Sequence, residues 1–120
     1  TRAALRVMLP QRRGQIITVC SDLGHTAKPN FAAYVASKFG VAGFTKAVAA
    51  EVKPHGVKVS LLYPGLIDTA FREIQANRPP ETIPDRSRML TARDVADAVI
   101  WIATTSSTAV PTEVILDPAR

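Results

Sequence analysis

The chain has 120 residues, of which 47% are hydrophobic and 21% charged, and its formal net charge is +5. These values are typical of one soluble globular domain and exclude an acidic disordered tail, a collagen-like repeat and a disulfide-rich miniprotein. One cysteine, Cys20, and two histidines, His25 and His55, predict neither an internal disulfide nor a metal site, and they favour a reducing, cytoplasmic compartment. The chain begins with Thr1 rather than Met, which indicates a fragment of a longer protein.

Positive charge is concentrated in the first thirteen residues, which contain four arginines and no acidic residue. A basic helix of this kind could contact the phosphates of a nucleic acid. Aromatic residues for base stacking are missing from this stretch, and no known nucleic-acid-binding motif accompanies it. We therefore interpret the arginines as a solvated helix face and expect no nucleic-acid partner. We also expect no membrane segment, because no apolar run reaches the roughly 20 residues that span a bilayer.

The amino-terminal part of the chain reads as a helix followed by a strand. Residues 2–9 place apolar side chains at helical spacing until Pro10, which should kink or end the helix, and Gly14 marks the turn. Residues 15–20 form a short, β-branched run of the kind that is buried on both faces in a parallel sheet. A polar loop is predicted to follow.

A long helix and a second strand come next. Residues 31–52 are rich in alanine and predict a helix, in which Gly40 and Gly43 would allow another helix to pack closely. Residues 57–63 predict a second buried strand, which the Pro64-Gly65 pair ends.

The last third of the chain contains a long excursion, a helix and a strand. Residues 70–90 include three prolines, and their length is typical of a lid over a binding site. Thr91 with Asp94 three residues later predicts a capped helix start, and Val95, Ala98, Val99 and Ile102 form the helix's buried stripe. Residues 113–117 predict the third strand.

This alternation of helices and apolar strands predicts an α/β fold with a Rossmann-like, three-layer parallel sheet and right-handed connections. In such sheets ligands bind beyond the carboxyl ends of the strands. Ser21 follows the first strand and residues 64–69 follow the second, so we expect the chemistry to be located there.

One pair of side chains suggests what that chemistry is. Tyr34 and Lys38 lie four residues apart on the long helix, so they share a face. An ammonium near a phenol favours the phenolate, which would let the tyrosine exchange protons near neutral pH. Ser21 could hydrogen-bond the same reacting oxygen. The spacing alone favours the alternative, an exposed pair whose tyrosine ring packs against the sheet, because tyrosine and lysine occur four residues apart by chance on many helices.

Three motifs in register resemble the short-chain dehydrogenase/reductase family. They are residues 17–21 (ITVCS), residues 34–38 (YVASK), which place Tyr34 thirteen positions after Ser21, and residues 63–69 (YPGLIDT). The resemblance covers the carboxyl-terminal half of a classical family member. It implies an NAD(P)-dependent oxidoreductase that interconverts an alcohol and a carbonyl compound by hydride transfer.

The resemblance also assigns roles to individual residues. Tyr34 would be the catalytic acid/base, Ser21 would orient the substrate oxygen, and Lys38 would hold the nicotinamide ribose and favour the phenolate of Tyr34. The residues that would bind the cofactor are Tyr34, Lys38, Pro64, Gly65, Ile67 and Thr69. A homodimer or homotetramer through the long helices is implied for the intact parent, and a small alcohol or carbonyl compound is the implied substrate.

The sequence departs from the family pattern in what it lacks. It contains no glycine-rich turn after a first strand, no residue that distinguishes NAD from NADP, and not the asparagine that completes the family's catalytic set. We therefore expect the 120 residues alone to bind cofactor poorly and to be inactive. Two alternatives stay open: a non-catalytic oligomerisation or binding module, and a relative of the NAD-dependent sugar-nucleotide epimerases and dehydratases.

Overall fold

Three parallel strands form the centre of the computed structural model, which describes residues 1–70 and 85–119. The elements, in chain order, are α1 (Arg2–Gln11), β1 (Gly14–Val19), α2 (Ala32–Val52), β2 (Val57–Pro64), α3 (Ala92–Ala103) and β3 (Glu113–Leu116). The strand order is β1-β2-β3, and both pairings are parallel. The predicted α/β fold with a parallel sheet is confirmed.

The helices lie in two layers, one on each side of the sheet. Alternate residues of β2 contact α2: Val57 and Val59 share a buried cluster with Val48 and Val52, against which α1 also packs. The residues between them face the other side, where the Lys58 Nζ donates to three backbone carbonyls of the segment that follows α3. The sheet is therefore the middle layer of three, as predicted.

The first strand is less buried than its composition predicts. The residues of β1 are half-buried and Val19 is 47% exposed, whereas β2 is buried over almost its whole length. Among the described strands, β1 pairs with β2 alone and so lies at the sheet edge. The prediction that β1 is buried on both faces is wrong for this chain. An apolar sequence shows that a strand can be buried, but it does not show which other elements pack against that strand.

The first helix also differs from its prediction. It continues through Pro10 to Gln11, since the fixed φ of proline is helical and only one hydrogen bond is lost in the last turn. Arg12, with φ 48°, makes the left-handed cap in place of a glycine. Gly14 is the first residue of β1 rather than the turn.

The prediction that Gly40 and Gly43 admit a second helix is not met within the chain. Among the described residues, no atom outside the helix's own backbone lies within 4 Å of where a Cβ would stand at either position. The same helix exposes Phe39 and Phe44 by 47% and 56%. The outer side of α2 is therefore an apolar surface without a partner in the part of the chain described. None of the helices found there is long and apolar enough to cross a membrane.

The start of α3 matches its prediction. The Thr91 side chain accepts a hydrogen bond from the Asp94 backbone N–H, and Asp94 accepts one from that of Thr91, which completes the capping box. Ile102 is fully buried. Trp101 on the same helix is 55% exposed and so is not a core residue.

Only the two ends of the predicted lid, residues 70–90, can be described, because residues 71–84 lie outside the described part of the chain. The ends meet at a parallel bridge between Ile67 and Leu90. The backbone N–H of Asp68 donates to the Leu90 carbonyl, and that of Leu90 donates to the Leu66 carbonyl, both at 2.8 Å. The excursion therefore leaves and re-enters the fold at one place.

Candidate active site

A cleft of about 550 Å³ opens at the carboxyl ends of the three strands. Residues that follow each strand line it: Asp22 after β1, Gly65 and Leu66 after β2, and Asp117 and Pro118 after β3. Asp85 and Arg88, from the returning end of the excursion, complete it. The cleft thus lies where parallel α/β sheets bind their ligands.

Tyr34 and Lys38 lie together on the first two turns of α2. The Lys38 Nζ is 5.5 Å from the centre of the Tyr34 ring, and both residues are half-buried. The Lys38 ammonium also donates to the Cys20 carbonyl at 3.1 Å, while the Cys20 thiol donates to the Lys38 carbonyl at 3.5 Å. Reciprocal bonds therefore tie Lys38 to the residue immediately before Ser21.

Ser21 begins the turn that leaves β1. Its Oγ donates to the Asp22 Oδ1 at 2.8 Å and accepts from the Leu23 backbone N–H at 3.3 Å. The structure therefore brings Lys38 against both the Tyr34 ring and the end of β1. It directs the Ser21 hydroxyl to Asp22 rather than to Tyr34.

Four of the six residues that sequence reasoning assigned to the cofactor lie at the end of β2 and in the turn that follows it. Pro64 is the buried last residue of the strand, and Gly65 lines the cleft. A Cβ on Gly65 would lie 2.8 Å from the Asp117 Oδ1 and 3.1 Å from Pro118, so a larger residue would displace the Asp117 carboxylate and crowd the Pro118 ring. Ile67 is half-buried and bridged to Leu90, and Thr69 is exposed.

Beneath the turn, a second polar group connects α2, β2 and β3. The Tyr63 hydroxyl donates to the Glu113 carboxylate at 2.8 Å, and the Lys46 ammonium lies 2.9 Å from the same oxygen. The bonds from Lys46 and Tyr63 lower the pKa of Glu113, and the bond to Glu113 raises the pKa of Lys46. Burial, followed by the bond to Glu113, raises the pKa of Tyr63, which therefore stays neutral. These three side chains fix the end of β2, which finishes at Pro64 directly before Gly65.

The remaining residues singled out in the sequence have structural roles. Cys20 is buried, and burial raises the pKa of its thiol, as befits a small apolar core group. The Ser37 hydroxyl donates to the Tyr34 carbonyl at 2.7 Å, a local bond within α2. His25 is exposed, and its ring stands edge-on to Tyr63 with centroids 5.0 Å apart.

Sequence reasoning missed the acidic residues of the cleft, Asp22, Asp85 and Asp117. For two of them the signal was present, because Asp22 follows Ser21 directly and Asp117 comes directly after β3. The rule that ligands bind at the carboxyl ends of strands would have selected both. Within residues 1–70 and 85–119, no cluster of His, Cys, Asp and Glu could hold a metal ion.

The chain is similar to known proteins along most of its length. Residues 1–79 match the family model described as short chain dehydrogenase. The 3-oxoacyl-[acyl-carrier-protein] reductase FabG of Buchnera aphidicola is 39% identical over 106 residues, which are 85% of this chain and 43% of that protein. The corresponding reductase of Haemophilus influenzae is 36% identical over 86% of this chain and 44% of its own length. The chain thus spans less than half the length of these relatives.

Solved structures show the same relation. A 3-oxoacyl-[acyl-carrier protein] reductase from Brucella melitensis with bound NAD is 33% identical, with a TM-score of 0.74 over 97% of this chain and 44% of that one. The acetoin dehydrogenase of Salmonella typhimurium is 29% identical, with a TM-score of 0.76 over 97% and 46%. The family model covers well over half of the chain, and the fold agrees with it. The chain belongs to the short-chain dehydrogenase family.

Proposed function

We propose that the protein is an NAD(P)-dependent oxidoreductase that interconverts an alcohol and a carbonyl compound, with Tyr34 as the acid/base. The observation that carries the proposal is the position of Lys38, whose ammonium lies 5.5 Å from the Tyr34 ring and 3.1 Å from the carbonyl oxygen that precedes Ser21. Lys38 thereby joins the Tyr34 ring to the residue before Ser21 at the carboxyl end of β1.

A dinucleotide would enter at this cleft, which Gly65 lines in the turn after β2. The half-buried Lys38, whose ammonium lies at the end of β1, would supply donors for ribose hydroxyls. Pro64, Ile67 and Thr69 would complete the nicotinamide end of the site. The bound nicotinamide would supply or accept the hydride, which is chemistry that no side chain provides.

Each side chain then has one task. The Tyr34 oxygen gives a proton to the substrate oxygen during reduction and takes it back during oxidation. The Lys38 ammonium, 5.5 Å from the centre of the Tyr34 ring, holds the nicotinamide ribose. The Ser21 hydroxyl orients the substrate oxygen.

The proposal extends to assembly. The outer side of α2 exposes Phe39 and Phe44 on one apolar surface, and α1 lies beside this helix. Covering such a surface with a second copy would remove it from water. We therefore include a homodimer or homotetramer through α1 and α2.

Replacing Tyr34 with Phe removes the proton-transfer oxygen and keeps the ring. In the natural polypeptide that carries this sequence, we expect Tyr34→Phe to lower kcat for NAD(P)H-dependent carbonyl reduction at least about a hundredfold. Cofactor binding, measured from the fluorescence of bound NAD(P)H, should be retained.

Ser37→Ala is the matched control, because its hydroxyl lies one turn along α2 and bonds only locally to the Tyr34 carbonyl. It should keep close to full activity. Unchanged turnover in Tyr34→Phe would contradict the acid/base role and leave the oligomerisation or binding module as the better reading.

A further inference from the structure

The direction of the Ser21 hydroxyl is the starting point, and the inference rests on the proposed function. A serine hydroxyl has a single proton to donate. That proton points at the Asp22 Oδ1, which also accepts the Leu23 backbone N–H at 2.8 Å. To orient a substrate oxygen, Ser21 must give up its bond to a carboxylate.

That exchange is unfavourable for a simple ketone. Hydrogen bonds to ionised groups are stronger than bonds between neutral groups, so a neutral carbonyl oxygen competes poorly with Asp22 for the proton. A ketone that displaced Asp22 would also leave a half-buried carboxylate with one donor fewer. Simple ketones therefore lose binding energy at this site.

A substrate that brings its own donor avoids the loss. A hydroxyl on the carbon next to the carbonyl can donate to Asp22 while the carbonyl accepts the proton from Ser21. The Ser21 Oγ and the Asp22 Oδ1 are 2.8 Å apart, close to the separation of two oxygens on neighbouring carbon atoms. We propose that Asp22 is a specificity-determining residue that selects carbonyl compounds with a hydroxyl on the adjacent carbon, together with the corresponding vicinal diols.

The charge of the cleft agrees with this assignment. Of the described residues that line the cleft, three are acidic, Asp22, Asp85 and Asp117, and Arg88 alone is basic. A ligand with a carboxylate beside its reacting carbon would meet like charges there, whereas a neutral hydroxyl donor would not.

Two ketones of nearly equal size test the inference. Hydroxyacetone carries the adjacent hydroxyl, and 2-butanone has a methyl group in its place. In the natural polypeptide that carries this sequence, kcat/KM should favour hydroxyacetone. Asp22→Asn should reduce that preference about tenfold, because the bond to a charged acceptor is lost.

Asp117→Asn is the matched control. It removes one negative charge from the same cleft and leaves the Ser21–Asp22 bond in place, so the preference should stay within about twofold. An equal preference in the wild type and in Asp22→Asn overturns the inference. The inference is also overturned if Asp117→Asn loses as much of the preference for hydroxyacetone as Asp22→Asn does, because the net negative charge of the cleft would then explain the selectivity.

A second readout needs no turnover. The Leu23 amide donates to the Asp22 carboxylate, so its nitrogen and proton resonances report on that group. Hydroxyacetone should shift them in the full chain, and 2-butanone and the Asp22→Asn variant should show no such shift. Equal shifts with both ketones, or none with either, overturn the inference. A shift specific to hydroxyacetone without hydride transfer would instead contradict the proposed function and support the recognition by Asp22.

Discussion

The packing around Gly24, at the end of β1, leaves no space for a side chain. A Cβ at this position would lie 2.7 Å from the Cys20 Sγ, 3.2 Å from the Tyr63 ring and 3.3 Å from the Lys38 carbonyl oxygen. We expect Gly24→Ala to lower the free energy of unfolding by about 1–3 kcal/mol, because the buried neighbours must move apart. Urea denaturation measures this, and an unchanged midpoint would contradict the packing described around Lys38.

Some of this residue-scale detail could be predicted from the sequence. The four-residue spacing places Tyr34 and Lys38 on one face, because a helix repeats every 3.6 residues. The bond between the Tyr63 hydroxyl and Glu113 joins residues 50 positions apart and depends on strand register. The Ser21–Asp22 bond depends on a side-chain rotamer. No sequence period specifies either contact.

At the scale of elements, helix α2 contains a glycine, Gly43, at which a side chain would meet no neighbour, unlike at Gly24. Gly43 lies exposed in the middle of this helix with no described atom near its Cβ position, so a methyl group meets open space. We expect Gly43→Ala to stabilise the monomeric chain by about 0.5–1 kcal/mol, since glycine loses more backbone entropy in a helix than alanine. Urea denaturation at a protein concentration that keeps the chain monomeric checks this. A loss of stability would mean that another helix occupies that surface.

The positions of the helices and strands were easier to predict from the sequence than their burial. β-branched runs located all three strands, and the Thr91–Asp94 pair located the start of α3, because these signals are local. The composition of β1 alone does not predict its partial exposure, since burial depends on which strands pair with it. Arg12 as a helix cap was not predictable either, because left-handed backbone favours glycine or asparagine at such positions.

At the scale of the whole molecule, Glu113, Lys46 and Tyr63 join one helix to two strands and should make stability depend on pH. The pKa of Glu113 is lowered in the folded chain, so its contribution is complete above its unfolded value and is lost as the pH falls through the folded value. The pKa values of Lys46 and Tyr63 are raised, so their contributions are complete below their unfolded values, about 10, and are lost as the pH rises through the folded ones.

We therefore expect a stability plateau between about pH 5 and pH 9, with a fall on either side. Lys46 and Glu113 are 53% and 46% exposed, so solvent screening limits their pair to less than about 1 kcal/mol. Tyr63→Phe should remove part of the alkaline fall and lower the plateau by about 1 kcal/mol, because a buried hydroxyl bond is lost. Urea midpoints measured from about pH 3 to about pH 12 check both limbs, and an unaltered alkaline limb in Tyr63→Phe would contradict the assignment.

The proposed chemistry requires the Tyr34 phenol and the Lys38 ammonium to work as one unit, and a double-mutant cycle measures this directly. Values of kcat at saturating cofactor are compared for the wild type, Tyr34→Phe, Lys38→Met and the double variant. Once the Tyr34 hydroxyl is gone, removing the charge that acts on it should cost little more, so we predict that the double variant is about as slow as Tyr34→Phe. Independent effects that multiply in the double variant would contradict the account.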